Sequence, residues 1–276
     1  MESAIVKNLK PEFAPVAVVW CDTIPDDAAQ FKEGKFGCVL YLFAEASVRG
    51  RIAGGCRKTI ACNGGRSALG FGVDFDASEE LLDRYAAVFS KGLESAEDEK
   101  AYQAHMDASP NSWRSLYEYG ERRHCCAELA KQWIQSGLPR YDIPHEYVLF
   151  KPLNRVSDED QIKAVIFPVN PIELAGLITL AGSVMRESDC VRYGQGPDCT
   201  SITAYAYAEA DSANPRAVLG MMGVDGREVM RKRFHDDVVT LTLPEPLFRR
   251  MENEADDCIF QIPGWRSLRH PRTATS

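Results

Sequence analysis

Two short stretches of the chain place a cysteine just before a turn of expected helix. They are Cys62-Asn63-Gly64-Gly65-Arg66-Ser67 and Cys199-Thr200-Ser201-Ile202, the second preceded by Gly194-Gln195-Gly196-Pro197-Asp198. Glycine lets main-chain N–H groups come close to a ligand. A helix start adds unpaired N–H donors and the positive end of the helix dipole. Such surroundings lower a thiol pKa and favour the thiolate, the form that soft metals and iron–sulfur clusters take. Arg66 would add positive charge beside Cys62, and Asn63, Thr200 and Ser201 could donate hydrogen bonds. Each stretch runs on into a Leu-Gly segment and an aspartate, Asp74 in one and Asp225 in the other. If the two parts of the chain fold alike, the thiols of Cys62 and Cys199 face one another across a shared cleft.

Cys38 follows Gly37 at a further expected helix start, and Cys56 lies close enough to Cys62 to swing toward the same place. The expected metal ligands are therefore Cys38, Cys62 and Cys199, with Cys56 as the fourth. Gly64, Gly65, Arg66, Thr200 and Arg227 would line the cofactor. The spacing is not the compact CxxC of zinc ribbons or small ferredoxins, so such a site must be assembled by tertiary folding. Three thiolates on a four-iron cluster (4Fe-4S) leave one iron open as a Lewis acid or substrate site; four favour electron transfer.

Other readings of the same residues stand beside this one. Gly64-Gly65 could make a simple tight turn while both cysteines fill the core. The helix starts, with Arg66 and Arg227, could bind a small anion in a metal-free binding module. A single activated cysteine could act as a nucleophile, although His105, His124, His145, His235 and His270 are scattered and none is an obvious partner. The phosphate-loop pattern fails, because Cys56-Arg57 stands where Gly-Lys is required.

Composition narrows the setting. With 32 Lys and Arg against 40 Asp and Glu, the net charge is −8, which argues against broad nucleic-acid binding. Residues 1–13 contain no apolar core of signal-peptide length, and the most apolar stretch, 172–185, is too short to span a membrane. The expected location is cytoplasmic. Nine cysteines, an odd number without a regular framework, fit reduced thiols better than a disulfide scaffold. Vicinal Cys125 and Cys126 are expected on a helix, and Cys21, Cys190 and Cys258 in the core.

These candidates must be positioned by an α/β fold. Residues 15–21 are a Val-rich run that reads as a strand covered on both faces. Residues 38–48 read as a buried helix stopped by Gly50. Residues 51–55 read as a short strand. Residues 79–93 carry Leu82, Tyr85, Phe89 and Leu93 on one helical face behind Ser78. Residues 94–140 read as a polar, partly helical excursion, with 113–137 helical. Strands are expected at 147–150, 164–169, 190–193 and 217–222, and a half-buried one at 238–243. Helices are expected at 171–185, with Pro171 in the first turn, at 200–208 and at 244–253. Alternating strands and helices imply βαβ units and a mainly parallel or mixed sheet. One domain over 1–276 is expected, with loosely repeated βαβ halves at about 11–95 and 145–235 and a flexible tail over 269–276.

Taken together, several stretches resemble the Domain of Unknown Function 169 family, found largely in anaerobic bacteria and archaea. They include Pro15-Val16-Ala17-Val18, Gly37-Cys38, Cys62-Asn63-Gly64-Gly65, Leu69-Gly70-Phe71-Gly72 and Tyr147 to Leu153. They continue with Asn170-Pro171, Cys199-Thr200-Ser201-Ile202, Pro215 to Gly220, Arg227, Met251-Glu252 and Trp265. The resemblance implies cysteines at Cys38, Cys62 and Cys199, and through them a shared thiolate site, without a reaction. A small-molecule ligand or a redox partner is the expected company, with no nucleic acid and no membrane. The chain departs from the family pattern at Thr200, where glutamine is common, and at Asp225-Gly226, where Ser-Ala often precedes the arginine.

Overall fold

The structure, a computed structural model, describes residues 2–108 and 114–269. The tail expected over 269–276, with His270, lies outside the described residues except for Arg269, which ends the last helix. The chain falls into two compact units. One comprises the residues up to Phe71 and from Ile143 on, the other Gly72–Asp142.

The larger unit opens with α1 (Ala4–Leu9), β1 (Val16–Cys21), α2 (Val39–Arg49), β2 (Ala53–Cys56) and α3 (Asn63–Leu69). The smaller unit then contributes α4 (Glu79–Phe89), α5 (Glu99–Ala108), α6 (Arg114–Tyr119) and α7 (Ala127–Ser136). The larger unit resumes with β3 (Tyr147–Pro152), β4 (Gln161–Val169), α8 (Pro171–Ser183), β5 (Val191–Tyr193), α9 (Asp198–Ser201) and α10 (Ala204–Ala210). It closes with β6 (Ala217–Gly220), α11 (Val224–Met230), β7 (Val239–Pro244), α12 (Glu245–Glu254) and α13 (Pro263–Arg269).

The seven strands form one mixed sheet in the order β2-β3-β1-β4-β7-β6-β5. The Val-rich β1 sits inside it, with Val18 opposite both Phe150 and Ala164. Of the mainly parallel or mixed sheet expected, the mixed form is found: among the described strands only β5 and β6 pair parallel. The crossovers through α2 and α8 do join strands of like direction, but later strands slot between them. β3 separates β1 from β2, whereas both β7 and β6 separate β4 from β5. The repeat of halves is accordingly not confirmed. β3 belongs to the second stretch in sequence but pairs with β1 and β2, and the first stretch runs past Phe71 into the other unit.

Strand alternation fixes the two faces. Ala17, Val19, Val165, Phe167, Leu241 and Leu243 share a core with Leu177 and Leu180 of α8 and Leu247, Phe248 and Met251 of α12. The intervening Val16, Val18 and Ile166 fill the opposite side, where α2 and α10 pack. β7 was expected to be half-buried, but Thr240 and Thr242 are as buried as its leucines because α10 covers them. Local signals set the helix ends. Asn170 and Glu173 close a reciprocal capping box around Pro171, and Gly50 ends α2 at a φ of 65°.

The smaller unit has its own core of Phe75, Ala86, Phe89, Ala130 and Ile134, built chiefly by α4 against α7. The polar excursion therefore begins before residue 94 and is more than a surface loop. The helix expected over 113–137 is two helices: Cys126 is the N-cap of α7 and Cys125 is exposed ahead of it, so neither lies within a helix.

Candidate functional site

Three of the four sequence candidates converge in the larger unit, each at the start of a helix. Cys38 is the N-cap of α2 and Cys62 the N-cap of α3. Cys199 lies in the first turn of α9. The Gly65 N–H donates to Cys62 Sγ at 3.4 Å, and Cys199 Sγ donates to the Gly64 carbonyl at 3.9 Å. A buried Thr203 hydroxyl lies 2.6 Å from the Ala68 carbonyl and 2.7 Å from that of Cys199, tying α3 to the α9–α10 segment. Gly65 has room only for hydrogen: a Cβ there would sit 2.8 Å from a Val39 methyl, so α3 could not approach the start of α2.

Two carboxylates that sequence reasoning missed complete the group. Asp198, 2 % exposed, receives the Gly223 N–H on its carboxylate at 3.0 and 3.3 Å. Its own N–H points to Asp225 Oδ2 at 3.4 Å. Asp225 stands in the first turn of α11, which packs on both α2 and α9. Asp198 was visible in sequence only as the neighbour of Cys199. Asp225 was visible as the aspartate after a Leu-Gly segment. Its counterpart Asp74 has a different fate, an ion pair with Arg140 in the smaller unit.

The electrostatics reverse the sequence expectation. Burial pushes the Cys38 thiol far above its usual range, and Cys62, Asp225 and Asp198 push it further, against the Leu40 backbone N–H. Burial likewise pushes Cys199 well up, followed by Cys38, Cys62, Asp225 and Asp198. A helix start offers a negative group about 0.3–1 kcal/mol, whereas an unpaired charge taken out of water costs several. Desolvation wins, and these thiols are neutral at neutral pH unless a cation joins them.

Of the expected cations, Arg66 stays on the segment that carries Cys62, its buried Nε without a hydrogen-bond partner among the described residues, and only Arg227 is committed elsewhere. Arg66 donates to the Asn63 side-chain oxygen. Arg227 donates to the carbonyls of Asp236 and Val238 at 2.9 and 2.7 Å, bracing the loop before β7. Thr200 is buried in α9, and its N–H donates to the Pro197 carbonyl. Cys56 is not brought to the group. It ends β2 opposite Tyr147, with the Thr59 hydroxyl 3.8 Å from its sulfur. Cys190 is buried, while Cys21 and Cys258 are only half-buried.

Among the described residues, no three His, Cys, Asp or Glu side chains are gathered tightly enough to hold one metal ion. The thiols share a neighbourhood rather than a single coordination point. A groove of 530 Å³ lined by Lys7, Lys10, Trp265 and Arg266 lies against α1 and α13 and includes none of the sequence candidates. No described helix is long and apolar enough to cross a membrane.

The sequence profile of DUF169, described as "Uncharacterised ArCR", matches residues 4–254, and the chain belongs to that family. No curated protein and no solved structure matches it.

Proposed function

We propose that this DUF169 protein holds an iron–sulfur cluster through Cys38, Cys62 and Cys199. What supports the reading is the donor set: Cys38, Cys62 and Cys199 gather with Asp198 and Asp225, while Arg227 is committed to the carbonyls of Asp236 and Val238. That donor set suits a soft cation and repels an anion, which favours thiolate–metal binding over the metal-free anion module. A cluster rather than a single ion is the form proposed, because cluster thiolates sit on different irons and need not meet at one point. The Gly65 N–H toward Cys62 Sγ is a hydrogen bond of the kind that stabilises cluster thiolates.

When bound, such a cluster supplies electron transfer, or a Lewis-acidic iron where one iron lacks a thiolate. The partner would then be a redox protein or a small molecule at that iron. Purification without oxygen, with iron and sulfide assays and a visible spectrum, tests the proposal. Iron and sulfide in equal amounts, with broad visible absorption, are expected. Protein that stays colourless and iron-free after reconstitution overturns it. One cysteine that is alkylated rapidly and stoichiometrically, in protein that takes up no iron, would instead favour a nucleophile.

A further inference from the structure

Cys62 and Cys199 both touch one peptide unit. The Gly65 N–H donates to Cys62 Sγ at 3.4 Å, and the Gly64 carbonyl of the same peptide accepts from Cys199 Sγ at 3.9 Å. Cys62 reaches that peptide from its own helix, as the N-cap of α3. Cys199 reaches it from α9, so α9 must be held against α3. We propose that Thr203 is the positioning residue that does this: its hydroxyl keeps Cys199 beside the helix that Cys62 begins. As a role in cofactor binding, this inference rests on the thiolate–cluster reading.

The placement of Thr203 carries the argument. It is the N-cap of α10, where a threonine hydroxyl ordinarily accepts an N–H of its own helix. Thr203 makes no such bond. Its hydroxyl lies instead 2.6 Å from the Ala68 carbonyl, 135 residues away in sequence, and 2.7 Å from the Cys199 carbonyl. Ala68 stands in the last turn of α3, where carbonyls lack helical partners. There the Gly70 N–H serves the Arg66 and Ser67 carbonyls, and the Thr203 hydroxyl serves that of Ala68. Ser201, two residues earlier, spends its hydroxyl within its own turn, on the Asp198 carbonyl at 2.8 Å. The polar tie from this segment to α3 therefore runs through Thr203.

Thr203 and Ala68 are both fully buried. Without the hydroxyl, the carbonyls of Ala68 and Cys199 would face each other out of water, a penalty that separating the two segments relieves. Thr203 touches neither sulfur. It acts through the main chain of Cys199, and what it sets is the distance from Cys199 to the Gly64–Gly65 peptide.

The test uses the full-length chain: wild type, Thr203→Val, Thr203→Ala and Thr203→Ser. In metal-free, folded protein, iodoacetamide labelling of each cysteine is timed by mass spectrometry. The thiol sulfur bonds to the reagent's methylene carbon, iodide leaves, and the thiol proton goes to solvent. Cys190, similarly buried but packed against α8, is the control. Thr203→Val should label at Cys199 about tenfold faster than wild type and leave Cys190 unchanged. Iron retained after reconstitution with iron and sulfide without oxygen should fall about tenfold. Thr203→Ser keeps the hydroxyl and should stay within about twofold of wild type in both measurements. Thr203→Ala removes the same hydroxyl without filling its place, and is read by the same criteria should the valine variant fail to fold. Labelling of Cys199 at the wild-type rate without the hydroxyl overturns the assignment. Faster labelling of Cys199 and Cys190 alike also overturns it, because the hydroxyl would then support the fold as a whole. Thr203→Ser that behaves like Thr203→Val does the same. Wild type that takes up no iron overturns the cluster reading, and the role in cofactor binding with it; the labelling rates then decide alone whether Thr203 positions Cys199.

Discussion

Two clusters of buried ionisable groups lie close together along the chain and are balanced in opposite ways. Around Glu209 of α10 every charge has a partner. Its carboxylate, 3 % exposed, accepts from Arg216 Nε and one terminal nitrogen at 3.1 and 3.0 Å and from Arg192 at 3.0 Å. Arg216 reaches on to Asp189 at 2.7 Å, and Arg192 lies over the Tyr205 ring. Around Cys199, at the start of the same α9–α10 segment, Cys38, Cys62, Asp198 and Asp225 gather, Arg66 stays on the segment of Cys62, and Arg227 is bound to backbone carbonyls instead. The first arrangement is complete as a protein structure. It links β5, α10 and the entry to β6, and nothing further is needed to satisfy it. The second gathers thiols and carboxylates of the kind that a soft cation could join, because a thiolate formed in a buried place persists when paired or bound to metal. The difference separates a structural network from a candidate site more sharply than cysteine spacing does.

The largest expected effect breaks the comparison by exchanging the two clusters' roles. Cys38→Ser, Cys62→Ser or Cys199→Ser should each lower iron retention at least tenfold, a drop of about 1.4 kcal/mol or more in binding. Glu209→Gln should leave iron content unchanged while destabilising the fold. Iron and sulfide assays on the four variants decide this. If Glu209→Gln loses iron as readily as the cysteine variants, the clusters are not distinct.

How far sequence alone reaches can be judged on these same residues. β1, α2 and α8 were legible because their signals are local: a Val-rich run, Gly50 behind a buried helix, and Asn170-Pro171 with Glu173. The convergence of Cys38, Cys62 and Cys199 was legible in outline, since each sits at a helix start. Strand direction was not, because β3 enters between β1 and β2 only after the whole smaller unit has intervened. Nor were the partners of Arg66 and Arg227, which depend on which acceptors tertiary packing brings within reach. Asp198 and Asp225 escaped for the same reason: their carboxylates gain meaning from Gly223, Gly226 and α2, none of which a local pattern connects to Cys199. The direction of the thiol pKa changes depended on burial, which the helix-start argument did not weigh.

A middle-sized effect sharpens the balanced side. Glu209→Gln should cost about 2 kcal/mol in denaturant unfolding, less than the 3–5 typical of breaking a fully buried pair, because both arginine side chains remain 32 % exposed and can reach water. The same cluster gives a pH signature. Burial alone would raise the Glu209 pKa, but hydrogen bonds from Arg216 and Arg192 outweigh it and hold the carboxyl below its usual value. A depressed folded pKa adds stability that is present above the unfolded pKa and is lost as pH falls through the folded one. Wild-type stability should therefore decline on acidification below the ordinary glutamate range, and Glu209→Gln should flatten that decline. The thiol cluster has the opposite sign toward its proposed cofactor. Because Cys38 and Cys199 hold their protons, loading must release them. Cluster uptake should strengthen as pH rises, and a pH-independent uptake would contradict neutral thiols in the metal-free protein.

The smallest effect is the most discriminating about why the thiol group exists. In metal-free protein the Leu40 backbone N–H only weakly favours the Cys38 thiolate, and Cys62, Asp225 and Asp198 oppose it. Cys38→Ala would remove one of the three proposed cluster ligands. The expected change in metal-free unfolding is within about 1 kcal/mol, with either sign acceptable, because site residues are commonly held at some cost to stability. After reconstitution, wild type should gain thermal stability and Cys38→Ala should not, since a ligand that binds only the folded state stabilises it by mass action. A Cys38→Ala protein that loses several kcal/mol without any metal would mean that the thiol is a packing element like Val39 beside it. The contrast with Glu209 would then be one of geometry alone.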